Sequence, residues 1–306
     1  MDFDQLRTFD RVVRDGSFTK AAARLDVTQA TVSMRIRALE TTLGASLLTR
    51  GRNVALTEAG ATFLPLARRM LATRIEGEHA LRGVDRGRLA VATLRSLVEP
   101  LVAEPAADFV ADHPLVELDV EEGNHRMIAE WLHDRRLDLA VMGWPNLDPL
   151  LDTLSPLAIF RERVILAAAP ALAERIGPDP TLERIFAAAP QFLTFFWWQV
   201  MPAPIAALRF RARASSQMPY APGRALIDRG LAVGHLLETS VRGDVARGEL
   251  VDLAPVDMPA VTRDSALVAG SAGVLGRPLV ADLADRLIRS AAEIGMAVTD
   301  LREGRG

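Results

Sequence analysis

The sequence contains no cysteine, and this absence removes several classes of chemistry at once. Disulfides, a thiolate nucleophile, Fe–S clusters, cysteine-ligated zinc and a thiol-based redox switch all need that residue. Lysine is almost as rare, because Lys20 is its one occurrence. A phosphate-binding Gly-Lys-Ser/Thr loop and a Schiff-base lysine for pyridoxal phosphate therefore cannot be built from residues 89–306.

Other kinds of site find no support in the sequence either. The five histidines include no pair four residues apart, and no His-Glu-x-x-His occurs, so a helical zinc site is not predicted. Neither a Gly-x-Ser-x-Gly motif nor a pair of carboxylates with catalytic spacing stands out. We therefore predict no catalytic residue, no metal and no cofactor.

The hydropathy pattern predicts no membrane segment. Apolar runs such as 164–173 extend over about ten residues, which is too short to cross a bilayer. The acidic start Met1–Asp4 lacks the apolar stretch of a signal peptide. We expect a soluble cytoplasmic protein without a membrane partner.

Charge is distributed unevenly along the 306 residues, although the formal net charge of the whole chain is only -3. Residues 1–88 hold 15 Arg and Lys against 10 Asp and Glu, a net of +5, which leaves -8 for residues 89–306. A basic N-terminal part on an acidic remainder is typical of a protein in which one part meets nucleic acid. The length favours two or three domains.

The N-terminal residues carry the pattern of a helix-turn-helix. Apolar residues at steps of three and four predict a helix over Gln5–Val13, and Ser17 is placed to cap a second helix. Thr28 is a candidate N-cap for a third helix, Gln29–Leu43, which combines an apolar stripe with a polar face. A short helix, a tight turn and a polar-faced helix predict a helix-turn-helix whose second helix enters the major groove.

A wing and a long helix are predicted to follow. Two short extended runs flank a Gly/Arg/Asn turn, which predicts a β-wing carrying Arg50 and Arg52. From Glu58 to about Arg82 apolar residues recur at helical spacing, among them Leu66, Met70 and Ile75. A helix-turn-helix domain of about sixty residues cannot bury such an apolar stripe, so we predict that this helix pairs with the same helix of a second copy. Packing on the chain's own C-terminal domain is the alternative.

The order of residues over this segment resembles the N-terminal signature of the LysR-type transcriptional regulators. The matching residues are Gln5-Leu6-x-x-Phe9, Gly16-Ser17-Phe18-Thr19-x-Ala21-Ala22, Leu25, Thr28-Gln29-x-x-x-Ser33, Ile36, Leu39-Glu40, Leu43-Gly44, Leu47-Leu48-x-Arg50 and Leu56-Thr57-x-Ala59-Gly60. The sequence departs from the family pattern at Ala30, where proline is common, and at Met34, where arginine is common. These departures leave the operator sequence open.

The remainder begins as alternating strands and helices. Strands are predicted over Gly87–Thr93, Val116–Val120 and Leu137–Val141, with helices over Leu97–Asp112, N-capped by Ser96, and Met127–Asp134. This alternation predicts a right-handed parallel α/β unit.

Three stretches of this part are similar to the effector domain of the same regulators. They are Phe109-x-x-x-His113-Pro114-x-Val116-Glu117-Leu118, Glu122-Gly123-Asn124 and Leu137-Asp138-Leu139-Ala140-Val141. The resemblance implies further strands at Val164–Ala168, Arg209–Ala214, Gly230–Gly234, Leu250–Leu253 and Ala266–Ala269, and helices near Pro222–Arg229 and over Pro278–Ile294.

The resemblance implies a three-part architecture. Residues 1–58 would form a winged helix-turn-helix DNA-binding domain, and 59–86 a linker helix and hinge that mediates dimerisation. Residues 87–306 would form a two-lobed α/β effector domain like a type 2 periplasmic binding protein. In that arrangement lobe I spans about 87–161 and 266–300, and lobe II about 162–265.

Candidate site residues follow for each domain. Base edges are reached from the N-terminal half of a recognition helix, and the more distant arginines suit phosphate or the minor groove. The predicted DNA-binding residues are Thr28, Gln29, Thr31, Ser33, Arg35, Arg37, Arg50 and Arg52. A merely solvated helix face is the alternative for Arg35 and Arg37.

An effector is expected outside the carboxyl ends of the strands, between the lobes. The predicted effector-binding residues are Arg95, Ser96, Asn124, Trp144, Thr194, Phe196, Trp197 and Ser216. A helix start at Ser96 suits a carboxylate, and the aromatic run 195–198 suits an apolar or aromatic body. Core packing is the alternative for these rings.

The leading hypothesis is a sequence-specific DNA-binding regulator of the LysR type, controlled by a small molecule bound between two lobes. Its expected partners are double-stranded DNA with an interrupted palindromic operator, an organic anion as one candidate effector, and further copies in a homodimer or homotetramer. RNA polymerase is a further candidate partner. A constitutive architectural DNA-binding protein with a vestigial pocket and an enzyme on a binding-protein-like fold are the alternatives.

Overall fold

The computed structural model describes residues 1–49, 54–82, 87–152, 154–271 and 273–302. The chain divides into two compact units, Met1–Asp85 and Arg86–Gly306. Over the described residues, no helix has both the length and the apolar character needed to cross a membrane.

The first unit contains the predicted helices and a short hairpin. In chain order its elements are α1 Phe3–Asp15, α2 Phe18–Arg24, α3 Gln29–Leu43, β1 Leu48–Thr49, β2 Ala55–Leu56 and α4 Glu58–Arg82. Side chains of Asp2, Ser17 and Thr28 accept backbone N–H groups at the starts of α1, α2 and α3. These caps satisfy N–H groups that have no partner within the helix, and they set where each helix begins.

One apolar core holds the first unit together. It includes Leu6, Phe9, Val32, Ile36 and Leu39, all fully or almost fully buried. These residues recur at helical spacing along α1 and α3, and the two helices pack against each other. The predicted core stripe of the third helix is therefore confirmed.

A close backbone contact attaches the hairpin to α4. A Cβ placed on Gly60 would lie 2.0 Å from the carbonyl oxygen of Leu47, so any side chain there would collide with the backbone. The same carbonyl accepts the Thr57 N–H at 3.0 Å, and Glu40 Oε1 accepts the Leu47 N–H at 2.8 Å. The hairpin β1–β2 is thus anchored to α3 on one side and to the first turn of α4 on the other.

The second unit is a mixed sheet covered by helices. From its start to the middle of the chain the elements are β3 Arg88–Leu94, α5 Arg95–Leu97, a π-helical turn Val98–Val102, α6 Ala103–Asp112, β4 Glu117–Gly123, α7 His125–His133, β5 Leu139–Gly143, a 3-10 turn Pro149–Leu151 and β6 Pro156–Ala168. They are followed by α8 Pro170–Ile176, α9 Leu182–Ala188, β7 Gln191–Phe195, α10 Ala203–Arg211, β8 Ser215–Met218, α11 Tyr220–Asp228, β9 Ala232–Leu237, α12 Glu238–Ala246, β10 Val251–Asp252, β11 Val261–Ala269, a 3-10 turn Val274–Gly276, α13 Pro278–Glu293 and β12 Ala297–Asp300.

The strands divide this unit into two lobes. Their order is β4-β3-β5-β11-β6-β9-β7-β8, with β10 and β12 also paired to β6. β3 runs parallel to β4 and β5, β7 runs parallel to β8 and β9, and the long strands β6 and β11 pair antiparallel between these two sets. One apolar core lies within 89–160 and 266–296, and a second lies within 164–261.

Two local predictions for the second unit are wrong. Arg209–Ala214 was expected as a strand, but α10 extends to Arg211 because Ile205 and Leu208 bury one face of a helix in the second core. Ser96 was expected to cap a helix, but the capping position is Leu94 and Ser96 lies inside the helix that begins at Arg95.

Two glycine substitutions in α4 test the contact between Gly60 and Leu47. Gly60→Ala should destabilise the first unit by about 1–3 kcal/mol, because the new methyl group collides with the Leu47 backbone. Gly77→Ala in the same helix meets no described atom within 4 Å and should stabilise it by about 0.5–1 kcal/mol. Hydrogen exchange of peptides from 1–49, with second-unit peptides as internal reference, measures both effects. Equal exchange rates in the two variants would contradict the proposed contact.

Candidate DNA-binding and effector sites

The outer face of α3 collects most of the residues predicted to meet DNA. Gln29 and Arg37 are exposed, and Thr31 and Ser33 are half-buried beside them. The exposed Thr28 caps the helix, its Oγ1 accepting the Thr31 N–H at 3.1 Å. Arg37 makes no ion pair with any described residue, so its guanidinium is available to a partner.

Arg35 does not share this face. Its Nη2 donates to Asp4 Oδ2 at 2.9 Å and its Nη1 to Thr8 Oγ1 at 3.5 Å, so the guanidinium is held against α1. This ion pair separates Arg35 from the other candidates, because contact with a base edge would require the guanidinium to leave Asp4. Arg50 and Arg52 lie outside the described residues, as do residues 83–86 of the predicted hinge.

A buried ion pair lies where the two lobes of the second unit meet. Arg263 on β11 and Glu162 on β6 face each other in the strand pairing, and both side chains are almost completely buried. Nε and Nη2 of Arg263 donate to Glu162 Oε1 at 3.0 and 2.6 Å. Burial lowers the pKa of Arg263, and the charge and hydrogen bonds of Glu162 oppose that shift. The guanidinium stays charged because its ordinary pKa is so high.

Both partners of this pair also reach a helix start. Arg263 Nη1 donates to Ser96 Oγ at 2.9 Å, which connects β11 to the helix that follows β3. The Thr239 hydroxyl, at the start of α12, donates to Glu162 Oε2. A π-helical turn, Val98–Val102, begins two residues after Ser96, and such turns occur frequently at functional sites. Ser96 is therefore the predicted effector residue that the structure integrates into a polar centre.

His125, at the start of α7, lies close to this centre. A Cβ on Gly143 would lie 2.5 Å from His125 Cε1, so the imidazole covers the end of β5. Neither ring nitrogen makes a hydrogen bond of good geometry, and the buried Oγ of Ser265, the sheet partner of Gly143, has no partner among the described residues. Burial lowers the pKa of His125, the Trp197 backbone raises it, and the charge of Arg263 lowers it further.

The aromatic run divides into packed and exposed members. Trp197 is 9% exposed, and its ring lies 4.6 Å from Phe195 and 6.0 Å from His235, between ring centroids. Phe196, in contrast, points into solvent. The Trp197 ring therefore packs in the second core, which is the alternative expected for these rings, and its contact with an effector stays a prediction. Its Nε1 is buried without a hydrogen-bond partner among the described residues.

The other predicted effector residues are dispersed along the strand ends. Asn124 caps α7 by accepting the Met127 N–H at 3.0 Å, and Arg95 is exposed and paired with Glu122. Trp144 is half-buried against the first core. In the second lobe the buried Thr194 and the half-buried Ser216 are brought together, since Thr194 Oγ1 donates to the Ser216 carbonyl at 3.5 Å.

The sequence interpretation missed the ion pair and one bridge between lobes. Glu162 lies two residues from the buried Phe160 and Val164, and Arg263 lies two residues from the buried Val261 and Ser265. Residues two apart share one face of a strand, so strand periodicity could have placed both charges inward. The bridge is Gln199, which follows β7. Its Oε1 accepts the Leu147 N–H at 3.1 Å and its Nε2 donates to Asn146 Oδ1 at 3.3 Å. Nothing local in the sequence indicates that contact.

Two family models match the chain. Residues 3–61 match the bacterial regulatory helix-turn-helix protein of the lysR family, and residues 82–292 match the LysR substrate binding domain. A probable RuBisCO transcriptional regulator of Thalassiosira pseudonana is 37% identical over 143 residues, which are 45% of this chain and 47% of that protein. The HTH-type transcriptional regulator CfxR of Cupriavidus necator is 34% identical over 168 residues, 54% of this chain and 52% of that protein. The chain spans about half the length of the curated relatives it matches.

A solved structure covers nearly the whole chain. The crystal structure of ArgP from Mycobacterium tuberculosis has a TM-score of 0.58 and 24% sequence identity, and it covers 95% of this chain and 98% of that one. At this identity the likeness concerns the fold. The predicted fold, a helix-turn-helix domain with a linker helix and a two-lobed effector domain, is confirmed by this match and by the two family models.

The buried His235 should lower the free energy of unfolding in acid. Trp198 Nε1 donates to His235 Nε2 at 3.1 Å, and burial lowers the pKa of His235 to about 4. On acidification His235 therefore binds a proton at a higher pH in the unfolded chain than in the folded protein. The free energy of unfolding that neutral His235 contributes above about pH 6.5 is lost as the pH falls towards 4. This loss amounts to about 3 kcal/mol at pH 4 relative to pH 7.

His235→Gln keeps an acceptor for Trp198 and removes the titration, so its unfolding free energy should fall less with acid than that of the unchanged protein. Urea unfolding followed by tryptophan fluorescence measures this, because all four tryptophans belong to the second unit. Parallel pH profiles for the two proteins would show that His235 is not responsible.

Proposed function

The chain belongs to the LysR family of bacterial regulators, and from this we propose that it is a DNA-binding transcriptional regulator acting in the cytoplasm and controlled by a small molecule. The observation that carries the proposal is the outer face of α3, a helix capped by Thr28 that follows a tight turn and presents polar side chains, among them the exposed Arg37. This geometry suits insertion of α3 into the major groove.

The DNA contacts divide by distance from the start of α3. Thr28, Gln29, Thr31 and Ser33 lie at the N-terminal end, where side chains reach base edges. Arg37 lies further along the helix and suits a phosphate, as do Arg50 and Arg52 of the wing. Arg35 acts through Asp4, holding α3 against α1, and it contacts DNA only when that ion pair opens.

We propose that residues 59–86 mediate assembly into a homodimer, with a homotetramer as a further step. Leu66 is exposed on α4, and Met70 is only partly covered by the first core. A dimer presents two copies of α3 to two half-sites, which agrees with an interrupted palindromic operator. RNA polymerase remains a candidate partner for activation.

We propose that the effector is a small organic anion bound between the lobes at 87–161 with 266–300 and at 162–265. The polar groups at this place that can donate to a ligand are the second N–H of Arg263 Nη1, the hydroxyls of Ser96 and Ser265, and one N–H of the His125 ring. The Glu162 oxygens are already engaged by Arg263 and Thr239. A donor-rich centre favours a ligand rich in acceptor oxygens, such as a carboxylate.

The DNA proposal is tested by a substitution on the outer face of α3. Arg37→Ala should weaken binding to all duplexes alike and reduce the slope of log affinity against log salt by about 1 for each copy of α3 on the DNA. Fluorescence anisotropy with a duplex from the region upstream of the gene measures both quantities. Arg209→Ala, an exposed arginine of the second unit, is the matched control and should change neither. Unchanged salt dependence in Arg37→Ala would contradict the phosphate contact.

The effector proposal is tested with three ligands that share one ring and differ in charge: benzoate, benzamide and benzamidine. At one common ligand concentration benzoate should stabilise the second unit most, by about 1.4 kcal/mol when that concentration is ten times its Kd, as measured by tryptophan-monitored unfolding. The double variant Glu162→Leu with Arg263→Met removes both charges without leaving one unpaired, and it should abolish the preference for benzoate. Stronger stabilisation by benzamidine would contradict an anionic effector.

A further inference from the structure

An apolar side chain lies on the outer face of α3. Met34 is 64% exposed, near the middle of the helix, and Ala30 is exposed one turn before it. Residues four positions apart share a helix face, so these two side chains form one apolar strip. Gln29 and Arg37, both exposed, flank the strip along the same helix.

The surroundings of Met34 leave the strip open. Its neighbour Arg35 is held by Asp4 and Thr8 on α1 and therefore does not fold over the methionine. None of the residues in the first apolar core is Met34 or Ala30, so the strip adds nothing to the packing of the unit. Met34 has no packing role within the unit, so its apolar end is free to contact an apolar group on a surface that α3 meets.

The major groove offers one apolar group on its base edges, the C5-methyl of thymine. We propose that Met34, together with Ala30, selects thymine by contact with this methyl group. The proposal rests on the insertion of α3 into the major groove proposed above. The flexible and polarisable methionine side chain follows a methyl group more closely than a branched one does.

The test begins with selection of a preferred operator from random duplexes by the full-length protein. Each thymine of that operator is then replaced by deoxyuridine, which keeps the base pair and removes only the methyl group. At the contacted position the affinity should fall about fourfold, the equivalent of about 0.8 kcal/mol for one buried methyl-sized group. Anisotropy titrations at one fixed salt concentration measure the loss.

Two variants on the same helix assign the effect. Met34→Gln keeps the length of the side chain and replaces its apolar end, so it should bind thymine and deoxyuridine operators with equal affinity. Arg37→Ala should weaken binding to both operators alike and leave the fourfold ratio unchanged. Met34 is exposed, so neither variant disturbs the core, and thermal unfolding verifies this.

The outcomes distinguish the contact between Met34 and thymine from the binding of α3 to DNA. If the protein selects an operator but tolerates deoxyuridine at every position, the reading of thymine by Met34 is overturned while DNA binding stands. If the fourfold loss persists undiminished in Met34→Gln, another residue makes the contact and the assignment is equally overturned. If the protein selects no sequence at all, the proposed insertion of α3 falls together with this inference.

Discussion

The pairing of β6 with β11 buries two opposite charges that water does not reach. Burying Glu162 and Arg263 is favourable only while each satisfies the other, since removal of one partner leaves an uncompensated charge at a cost of several kcal/mol. The two residues stand opposite each other in the pairing of β6 with β11. A shift of one residue along either strand would turn one charge towards the opposite face. The pair therefore specifies the register of the two strands that connect the lobes.

Local signals account for the parts of the structure that the sequence predicts well. The caps at Ser17 and Thr28, the core stripe of α3 and the hairpin beside Gly60 are each encoded within about a dozen residues. α10 is an element that prediction from neighbouring residues gets wrong. Its run of alternating arginine and apolar residues imitates a strand, and only the burial of Ile205 and Leu208 in a distant core makes it a helix.

The polar centre around Arg263 was harder to predict because its parts are far apart in the chain. Arg263 meets Ser96, which precedes it by 167 residues, and Glu162, which precedes it by 101 residues. A rule about strand ends selected Ser96, which bonds to Arg263, and it also selected Trp197, whose ring packs in the second core. Aromatic composition does not separate a ring that lines a cavity from one that packs, whereas a charged residue on the apolar face of a strand is a more specific signal.

Gly60 has a mechanical consequence. Because the Leu47 carbonyl occupies the space of a side chain, the hairpin and the first turn of α4 touch backbone to backbone with no adjustable side chain between them. Thr57 reinforces this junction by bonding to Ser46 and to Gly60 itself. The wing strands and the beginning of α4 thus behave as a single lever. A rotation of that first helical turn would therefore turn the paired strands β1 and β2 with it, because both are fixed to the same backbone contact.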